Sequence, residues 1–230
     1  MKGLKIICAT RETEDAFYEN SLMGKTIKSA YKDYGFHLHI FFENSKGLSE
    51  CYNIGISQAD EDDILIFVHD DIAISDFFWV KNVFIGLERF HMIGVAGNRR
   101  RIKNQPAWPF IKFNPETKSW TKDKSNNLSG LVAHGNTFPC GLTIYGQPEQ
   151  QCVLLDGVFL AAKKRTFIER GIKFDERFKF HFYDMDICRQ FEQNGLSMGT
   201  VPISIVHGSG GNFGSPDWIS AYKIYLNKWE

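Results

Sequence analysis

The sequence predicts an α/β protein in which a mostly parallel central sheet is flanked by helices and is followed by a smaller, mixed second half. Two observations lead to this fold class. Apolar segments of strand length alternate with segments of helical periodicity through the first hundred residues, which is typical of parallel strands joined by crossover helices. After residue 151, strand-like and helical segments resume in a mixed order.

Four apolar segments in the first part are the predicted strands, at residues 5–9, 38–42, 64–68 and 92–96. Helical periodicity between them predicts helices near residues 16–31, 49–59 and 76–89. Ser75 is a candidate N-cap for the last of these helices. Residues 1–97 therefore form one doubly wound half of the fold.

Residues 98–151 break the pattern with five prolines, two tryptophans and several glycine and asparagine turn signals. A segment this long within a compact domain is usually functional or carries hairpins of its own. We predict short strands here and a lid over a site.

Regular structure resumes with predicted strands at residues 152–155, 158–162 and 201–206 and a helix at 184–194 that ends before Gly195. A final helix is predicted after Ser215-Pro216, an N-cap followed by proline at the first helical position. Its aromatic stripe favours packing on its own domain, and docking on a partner or membrane surface is the alternative. The length supports one substantial core, so we predict a single domain over residues 1–230.

The composition excludes several functional classes. Twenty-seven basic residues balance 27 acidic ones, so no net field favours nucleic-acid binding. No apolar segment approaches the roughly 18 residues of a spanning helix, and no signal-peptide pattern is present. The five cysteines are odd in number and form no Cys-x-x-Cys pair. We expect reduced thiols and a cytoplasmic protein that is at most peripheral to a membrane.

The first candidate site is His69-Asp70-Asp71, directly after the apolar strand at 64–68. Ligands bind outside the carboxyl ends of parallel strands, and two adjacent carboxylates there need a cation or donors to compensate them. Side chains alternate along an extended chain, so His69 and Asp71 are expected on one side and Asp70 on the other. A metal site and a polar helix cap are equally compatible with this motif alone.

Two further clusters follow later in the chain. Asp184 and Asp186 lie two residues apart at a helix start, about 200° apart around its axis, so at most one of them faces a given pocket. The other is placed to pair with Arg189 on the same helix face. His207 closes an apolar strand and precedes glycines that allow backbone to approach a ligand. In isolation, each cluster is better explained by ordinary structure, namely acidic residues that complement a helix dipole and a hydrogen-bonded surface histidine.

Together these motifs resemble, in order, the inverting GT-A fold glycosyltransferases of the family-2-like group, which use nucleotide-diphospho-sugar donors. The matching elements span most of the chain and are Ile6-Ile7-Cys8-Ala9-Thr10, residues 43–49 with Asn53-Ile54-Gly55-Ile56, His69-Asp70-Asp71, Asp156-Gly157-Val158-Phe159-Leu160, Tyr183-Asp184-x-Asp186, and His207 before glycines. The resemblance implies a GT-A, Rossmann-like sheet with a nucleotide-binding half at 1–97 and an acceptor and catalytic half at 152–230.

The resemblance also implies a role for each matching position. Thr10, Arg11 and Glu43 resemble the pocket for base and ribose, with Asn53 near the same donor. His69-Asp70-Asp71 looks like the Asp-x-Asp element, in which Asp71 binds the metal and Asp70 faces the donor. His207 resembles the late histidine that completes the metal or pyrophosphate site. Asp156-Gly157 resembles the junction of donor sugar and acceptor, and Asp184 matches the catalytic carboxylate.

Two positions depart from the family pattern: His69 stands for the usual first aspartate and Tyr183 for a glutamate. The Gln-x-x-Arg-Trp motif of processive members is missing, so transfer of one sugar is expected. The expected partners are a UDP-type donor and a hydroxyl acceptor such as a glycan or glycolipid, with Mn²⁺ or Mg²⁺ as cofactor. Histidine ligation favours Mn²⁺.

Two alternatives remain. A nucleotidyltransferase would use a similar sheet, but residues 9–15 are acidic and glycine-free, unlike a triphosphate-binding loop. A non-catalytic relative would bind sugars, with Trp108 and Trp120 as stacking platforms. Either tryptophan is equally well explained as a packing residue, and Trp108 is assigned to the predicted acceptor region.

Overall fold

Two mixed sheets carry the fold in the computed structural model, which describes residues 3–30, 35–135 and 140–230. The strands are β1 (Leu4–Ala9), β2 (His37–Phe41), β3 (Ile64–His69), β4 (Ile72–Ile74), β5 (Met92–Gly94), β6 (Ala96–Asn98), β7 (Phe110–Asn114), β8 (Ser119–Lys122), β9 (Leu128–His134), β10 (Gly141–Gly146), β11 (Gln151–Cys152), β12 (Leu154–Leu155), β13 (Phe159–Lys163), β14 (Met198–Thr200) and β15 (Ile205–His207). The helices are α1 (Glu14–Asn20), α2 (Leu22–Ala30), α3 (Leu48–Ser57), α4 (Trp79–Arg89), α5 (Lys164–Arg170), α6 (Tyr183–Gln193) and α7 (Pro216–Trp229).

The first sheet has the strand order β11-β14-β5-β13-β3-β1-β2. β1 pairs in parallel with β2 and β3, and β14 pairs in parallel with β5. β13 runs antiparallel between β3 and β5, and β11 runs antiparallel to β14. Five of the seven strands therefore point the same way, which confirms the predicted α/β class with a mostly parallel central sheet. Residues 64–68 of β3 are buried throughout, as expected for a strand covered on both faces.

The second sheet joins the two halves of the chain, with the order β12-β6-β9-β15-β4 and β10 paired with β9. β7 and β8 form a separate hairpin. Much of the segment 98–151 therefore folds as short strands, as predicted, and β9 also pairs with β6 and β15 outside the segment's own hairpins.

The predicted helix at 16–31 is wrong as a single element. The chain forms α1 and α2 with Ser21 extended between them, and the Ser21 hydroxyl accepts from the Gly24 backbone N–H. Gly24 lies so close to the Phe17 carbonyl that a Cβ would be 2.0 Å from that oxygen, so this glycine allows the two helices to meet at a sharp turn. Tyr31, at the end of the predicted helix, lies outside the described residues.

Two predicted strands, at 92–96 and 201–206, are each incorrect in extent. β5 and β6 belong to different sheets, with Val95 between them. Of residues 201–206, only Ile205 and Val206 lie in a strand, β15, and β14 of the other sheet ends before them at Thr200. Periodicity alone does not distinguish one strand from two short strands that continue in different sheets.

Helix ends follow the local chemistry. α4 begins later than predicted, and its N-cap is Phe78 rather than Ser75. The Asp76 carboxylate accepts from Phe78 N–H and Asn82 Nδ2 in the turn before the helix. α6 ends before Gly195 as predicted, with a left-handed φ of 67° at that glycine. Ser215 caps α7 through Trp218 N–H.

The final helix packs its aromatic face on the domain. Trp218 and Tyr225 are 2% and 1% exposed, and Ala221 is also buried, so these residues of the stripe are not available to a partner or membrane. No helix in the described part of the chain is both long and apolar enough to cross a bilayer. The cysteines are free thiols, and all but Cys140 are buried.

Candidate active site

A His-Asp-His cluster lies where β3 and β15 end. β15 pairs antiparallel with β4, which places His207 opposite Ile72, and Gly208 N–H donates to the Asp71 carbonyl at 2.8 Å. On its other side β15 pairs with β9, and His207 is the register partner of His134. Strand pairing therefore brings a residue from the end of the chain beside the turn that follows β3, although 136 residues of sequence separate Asp71 from His207.

The carboxylate of Asp71 lies between two imidazoles. His207 Nε2 is 3.4 Å from Asp71 Oδ2, and His69 Nδ1 is 3.9 Å from Asp71 Oδ1. One ligand atom from each of the three side chains lies within 4.8 Å of the others. Burial opposes the charge of Asp71, but hydrogen bonds from His207 and Ser209 outweigh it and lower the pKa of Asp71 to about 2.

The chemistry of the same three side chains fits a divalent metal ion. Asp71 Oδ1 is buried and has no hydrogen-bond partner among the residues that the structure describes, which is costly for a carboxylate oxygen unless a cation compensates it. Burial lowers the pKa of His69 to about 4, with Asp71 opposing the shift, so this imidazole is neutral and able to act as a ligand near neutral pH. Two imidazoles and one carboxylate suit Mn²⁺ better than Mg²⁺.

Tyr183 connects this cluster to the neighbouring loop. Its hydroxyl donates to the Gly157 carbonyl at 2.8 Å and lies 2.7 Å from His69 Nε2. Gly157 is required for this approach, because a Cβ there would be 2.2 Å from the Tyr183 oxygen. Tyr183 thus contacts His69, and these are the two positions at which the sequence departs from the family pattern.

Asp184, in the first turn of α6, faces the same region. Its Oδ2 accepts from Gly157 N–H at 3.2 Å and its Oδ1 accepts from Met185 N–H at 2.8 Å. Burial, followed by the nearby charge of Asp156, raises the pKa of Asp184 to about 7. A carboxylate with a pKa near neutrality is suited to take a proton from a hydroxyl group.

The direction of α6 is set by an unusual residue before it. Phe182 has a left-handed φ of 65°, which is uncommon for a bulky side chain. Its ring is held against Trp218 and Tyr222 of α7, with centroids 5.3 and 5.4 Å away. The terminal helix therefore helps to orient Tyr183 and Asp184.

Asp186 points away from Asp184, as the helical spacing predicts. Its carboxylate is fully buried and accepts from Lys228 Nζ and Trp229 Nε1, both at 2.7 Å, and from Gln190 Nε2 at 2.8 Å. The expected pairing with Arg189 is wrong. Arg189 instead donates to Glu230 at 3.0 Å, because α7 supplies closer partners for both residues.

The predicted donor residues lie mainly at the carboxyl ends of β1, β2 and β3. Ala9 is in register with both Phe41 and His69, so Thr10, Glu43 and Asp70 follow neighbouring strand ends. The Thr10 hydroxyl hydrogen-bonds the Asp70 carboxyl, whose pKa is raised chiefly by burial. Arg11 and Glu43 are exposed at this edge.

Asn53 is not brought to this edge. Its amide oxygen accepts from Phe174 N–H at 2.9 Å, and its amide nitrogen donates to the Phe174 carbonyl and to Glu176. These bonds occupy the side chain in anchoring residues 174–176 to α3. Donor contact by Asn53 finds no support in this arrangement.

A cavity of about 460 Å³ joins the candidate residues from both halves. Its lining includes His69, Asp156, Gly157, Asp184 and His207. Aromatic and basic residues from the segment 98–151 and its surroundings complete the wall, among them Trp108, Lys122, His134, Tyr145, Phe180 and Phe213.

The two tryptophans differ in position. Trp108 lines the cavity and its indole hydrogen-bonds the Asp156 carboxyl, whose pKa is raised chiefly by burial. Trp120 stacks on Phe113 with centroids 4.3 Å apart and packs edge-on against Trp218. Trp120 is therefore a hairpin packing residue, while Trp108 belongs to the candidate site.

Sequence reasoning missed Tyr183, His134 and Lys122 as residues of the site. For Tyr183 there was a usable signal, because His69 and Tyr183 both differ from the family pattern and an unusual residue often compensates for another one nearby. His134 and Lys122 carried no local motif, and only the pairing of β9 with β15 and the fold of the hairpin bring them to the cavity.

The mixed sheet, the acidic turn after β3 and the carboxylate at the start of α6 together define a glycosyltransferase of the GT-A class. The chain belongs to a glycosyltransferase-like family, whose family model matches residues 10–206. It is accordingly a transferase enzyme, as the motif order predicted. A comparison with curated protein sequences finds no significant match.

A comparison with solved structures finds matches at low sequence identity. GalNAc-T7 with UDP, GalNAc and Mn²⁺ has a TM-score of 0.53 and 13% identity, covering 98% of this chain and 50% of that one. A197 from STIV has a TM-score of 0.49 and 13% identity, covering 91% and 87%. The catalytic domain of Drosophila β1,4-galactosyltransferase 7 with xylobiose has a TM-score of 0.44 and 10% identity, covering 87% and 65%. The chain thus spans half the length of GalNAc-T7, and that likeness confirms the GT-A fold.

Proposed function

We propose that this glycosyltransferase moves one sugar from a UDP-type donor to a hydroxyl group of a glycan or glycolipid acceptor, with inversion at the anomeric carbon and dependence on Mn²⁺ or Mg²⁺. One observation carries the proposal. The histidines of the His69-Asp71-His207 cluster and the carboxylate of Asp184 line a single cavity, so a leaving group and an attacking hydroxyl can be handled in one space.

The donor would lie along the carboxyl ends of β1, β2 and β3. Arg11 and Glu43 are exposed there for base and ribose. Thr10 is buried and would contribute through its hydrogen bond to Asp70, which is directed towards Thr10 rather than towards His207. The separation of Asp70 from Asp71 supports two different tasks, one at the donor and one at the metal. GalNAc-T7, which has the same fold, was crystallised with UDP and Mn²⁺, and this supports the choice of nucleotide and metal.

Asp71 and His207 would hold the divalent ion. Such an ion, when bound, neutralises charge that develops on the departing diphosphate. Asp71 Oδ1 is buried without a hydrogen-bond partner among the described residues, so it is the atom that most requires a bound cation.

Asp184 would act as the general base. Its two oxygens each accept one backbone N–H, which fixes the carboxylate and leaves lone pairs for an acceptor hydroxyl. The base removes the hydroxyl proton as that oxygen attacks the anomeric carbon opposite the diphosphate. Asp156, hydrogen-bonded by Trp108, lies beside it and is placed to contact the sugar or the acceptor.

Calorimetric titration with UDP, GDP, CDP and ADP, each with Mn²⁺ and with EDTA, tests the donor and metal together. The proposal expects UDP to bind in the presence of Mn²⁺ and to lose most of its affinity in EDTA. Equal binding with and without metal would contradict the metal role, and a preference for another nucleotide would contradict the UDP assignment. NMR of the product from a UDP-sugar and a responsive acceptor then gives the anomeric configuration, which is retained if inversion is wrong.

A further inference from the structure

The hydroxyl group of Tyr183 lies between the Gly157 carbonyl and His69 Nε2. The Gly157 carbonyl can only accept, so the single Tyr183 hydroxyl proton is donated to it at 2.8 Å. The Tyr183 oxygen must then accept from His69 Nε2 at 2.7 Å. A neutral imidazole with its proton on Nε2 carries a free lone pair on Nδ1.

That lone pair faces the metal cluster. His69 Nδ1 is 3.9 Å from Asp71 Oδ1, the buried oxygen that has no hydrogen-bond partner. Two lone-pair-bearing atoms that face each other across such a gap repel, unless a cation lies between them. The opposite tautomer would instead place an N–H towards Asp71 and remove a ligand atom.

We propose that Tyr183 is a positioning residue that holds His69 as the Nε2-protonated tautomer and thereby makes His69 Nδ1 the third protein ligand of the metal site. The assignment rests on the proposed function, since it adds a residue to the same metal site. It gives His69 a metal role in place of the donor contact expected from its motif.

Gly157 is part of the same arrangement. Its carbonyl accepts from Tyr183, while its N–H donates to Asp184 Oδ2 at 3.2 Å. One glycine therefore links the metal-facing histidine to the general base, and the close approach of the Tyr183 hydroxyl excludes any larger residue there.

A substitution can distinguish the packing role of the Tyr183 ring from the positioning role of its hydroxyl group. Its ring lies in an aromatic cluster with Tyr52 and Phe174, at centroid distances of 5.8 and 6.2 Å. Tyr183→Phe keeps the ring in that cluster and removes only the hydroxyl. Tyr225→Phe is the matched control, because Tyr225 is equally buried but does not line the cavity.

The first measurement is the His69 tautomer in the metal-free protein by long-range ¹H–¹⁵N NMR, with the signal assigned through His69→Gln. We expect the Nε2-protonated form in the wild type and in Tyr225→Phe, and its loss as the dominant form in Tyr183→Phe. An Nδ1-protonated His69 in the wild type, or an unchanged tautomer in Tyr183→Phe, would overturn the inference without touching the proposed function.

The second measurement is Mn²⁺ affinity by calorimetry. Loss of a group that orients a metal ligand typically weakens binding by about 10–100-fold, which is the change expected for Tyr183→Phe, with wild-type affinity in Tyr225→Phe. Gly157→Ala, which displaces the intact Tyr183, should weaken Mn²⁺ binding in the same range. Equal Mn²⁺ affinity in wild type and Tyr183→Phe would refute the positioning role, whereas a wild type that binds no Mn²⁺ would overturn both the metal proposal and this one.

Discussion

Two pairs of neighbouring aspartates belong to the candidate site region, Asp70 with Asp71 after β3 and Asp184 with Asp186 at the start of α6, and both pairs divide their tasks. In the strand-end pair, successive residues point to opposite sides, which directs Asp71 to the histidines and Asp70 to Thr10. In the helical pair, the 200° offset directs Asp184 to the cavity and Asp186 to α7.

The aspartates of these pairs differ in how completely their carboxylate oxygens are hydrogen-bonded. Asp186 is fully buried and accepts from an ammonium, an indole and an amide group, so its needs are met within the fold. Asp71 keeps a buried oxygen without a partner, and Asp184 has backbone donors only and a pKa raised to about 7. Buried carboxylates that the fold leaves incompletely compensated are the better candidates for chemistry.

The largest expected effect comes from Asp184→Asn. Removal of a general base should lower the transfer rate by about 10²–10⁴-fold, while Mn²⁺-dependent UDP binding is retained. Ionising Asp184 costs folding free energy above the ordinary carboxyl pKa, because the folded state raises that pKa. The variant should therefore be at least as stable as wild type at pH 7.5. Initial rates, UDP titration and urea unfolding check the three parts, and wild-type turnover would remove Asp184 from the role.

Asp71→Asn should have the next largest effect. It preserves shape but removes the charge between His69 and His207, and we expect Mn²⁺ affinity to fall by more than the roughly 100-fold upper range for outer-shell changes. Calorimetry with Mn²⁺ alone measures this. Asp186→Asn is the matched control, since it neutralises a buried aspartate outside the cavity and should leave Mn²⁺ affinity unchanged. Similar losses in both variants would mean that the contrast between the two pairs is wrong.

Much of the fold was predictable because its signals are local. The strand ending at His69 and the cap at Ser215 depend on apolar runs and single side chains, and both appear in the structure. The break at Ser21 and the change of sheet at Val95 were not predictable, because close backbone approach and strand pairing decide them.

The candidate site was predictable in its motifs but less so in its contacts. The chain order of Asp71, Asp184 and His207 was sufficient to nominate them. The partner of Asp186 was not, because Lys228 and Trp229 lie more than 40 residues away in sequence and reach it only after α7 docks. Asn53 shows the same limit, because the hydrogen bond between its side chain and Phe174 is a tertiary contact that the motif does not reveal.

The pH dependence of transfer should give a smaller, graded effect that belongs to the helical pair alone. Because Asp184 must be ionised to accept a proton and its pKa is about 7, the rate should rise with pH through 7 and fall about tenfold for each pH unit below it. Initial rates from pH 5 to 9 at saturating substrate and metal check this. The residual rate of Asp184→Asn should lack this inflection, and a wild-type profile flat between pH 5.5 and 7.5 would contradict the assignment.

Asp186→Asn should have the smallest effect on chemistry and a measurable one on stability. Asparagine keeps the shape but loses the charge that Lys228 and Trp229 bind, and a lost hydrogen bond to a charged group costs about 1.5–3 kcal/mol. The free energy of unfolding in urea should fall by that order, while the exposed control Asp62→Asn should change it by about 0.5 kcal/mol or less. Turnover per folded molecule should remain close to wild type, because Asp186 does not line the cavity and Phe182 stays packed against α7 in the folded protein. If turnover instead fell as far as in Asp184→Asn with stability unchanged, Asp186 rather than Asp184 would be the functional member of its pair, and the use of hydrogen-bond satisfaction to separate them would be mistaken.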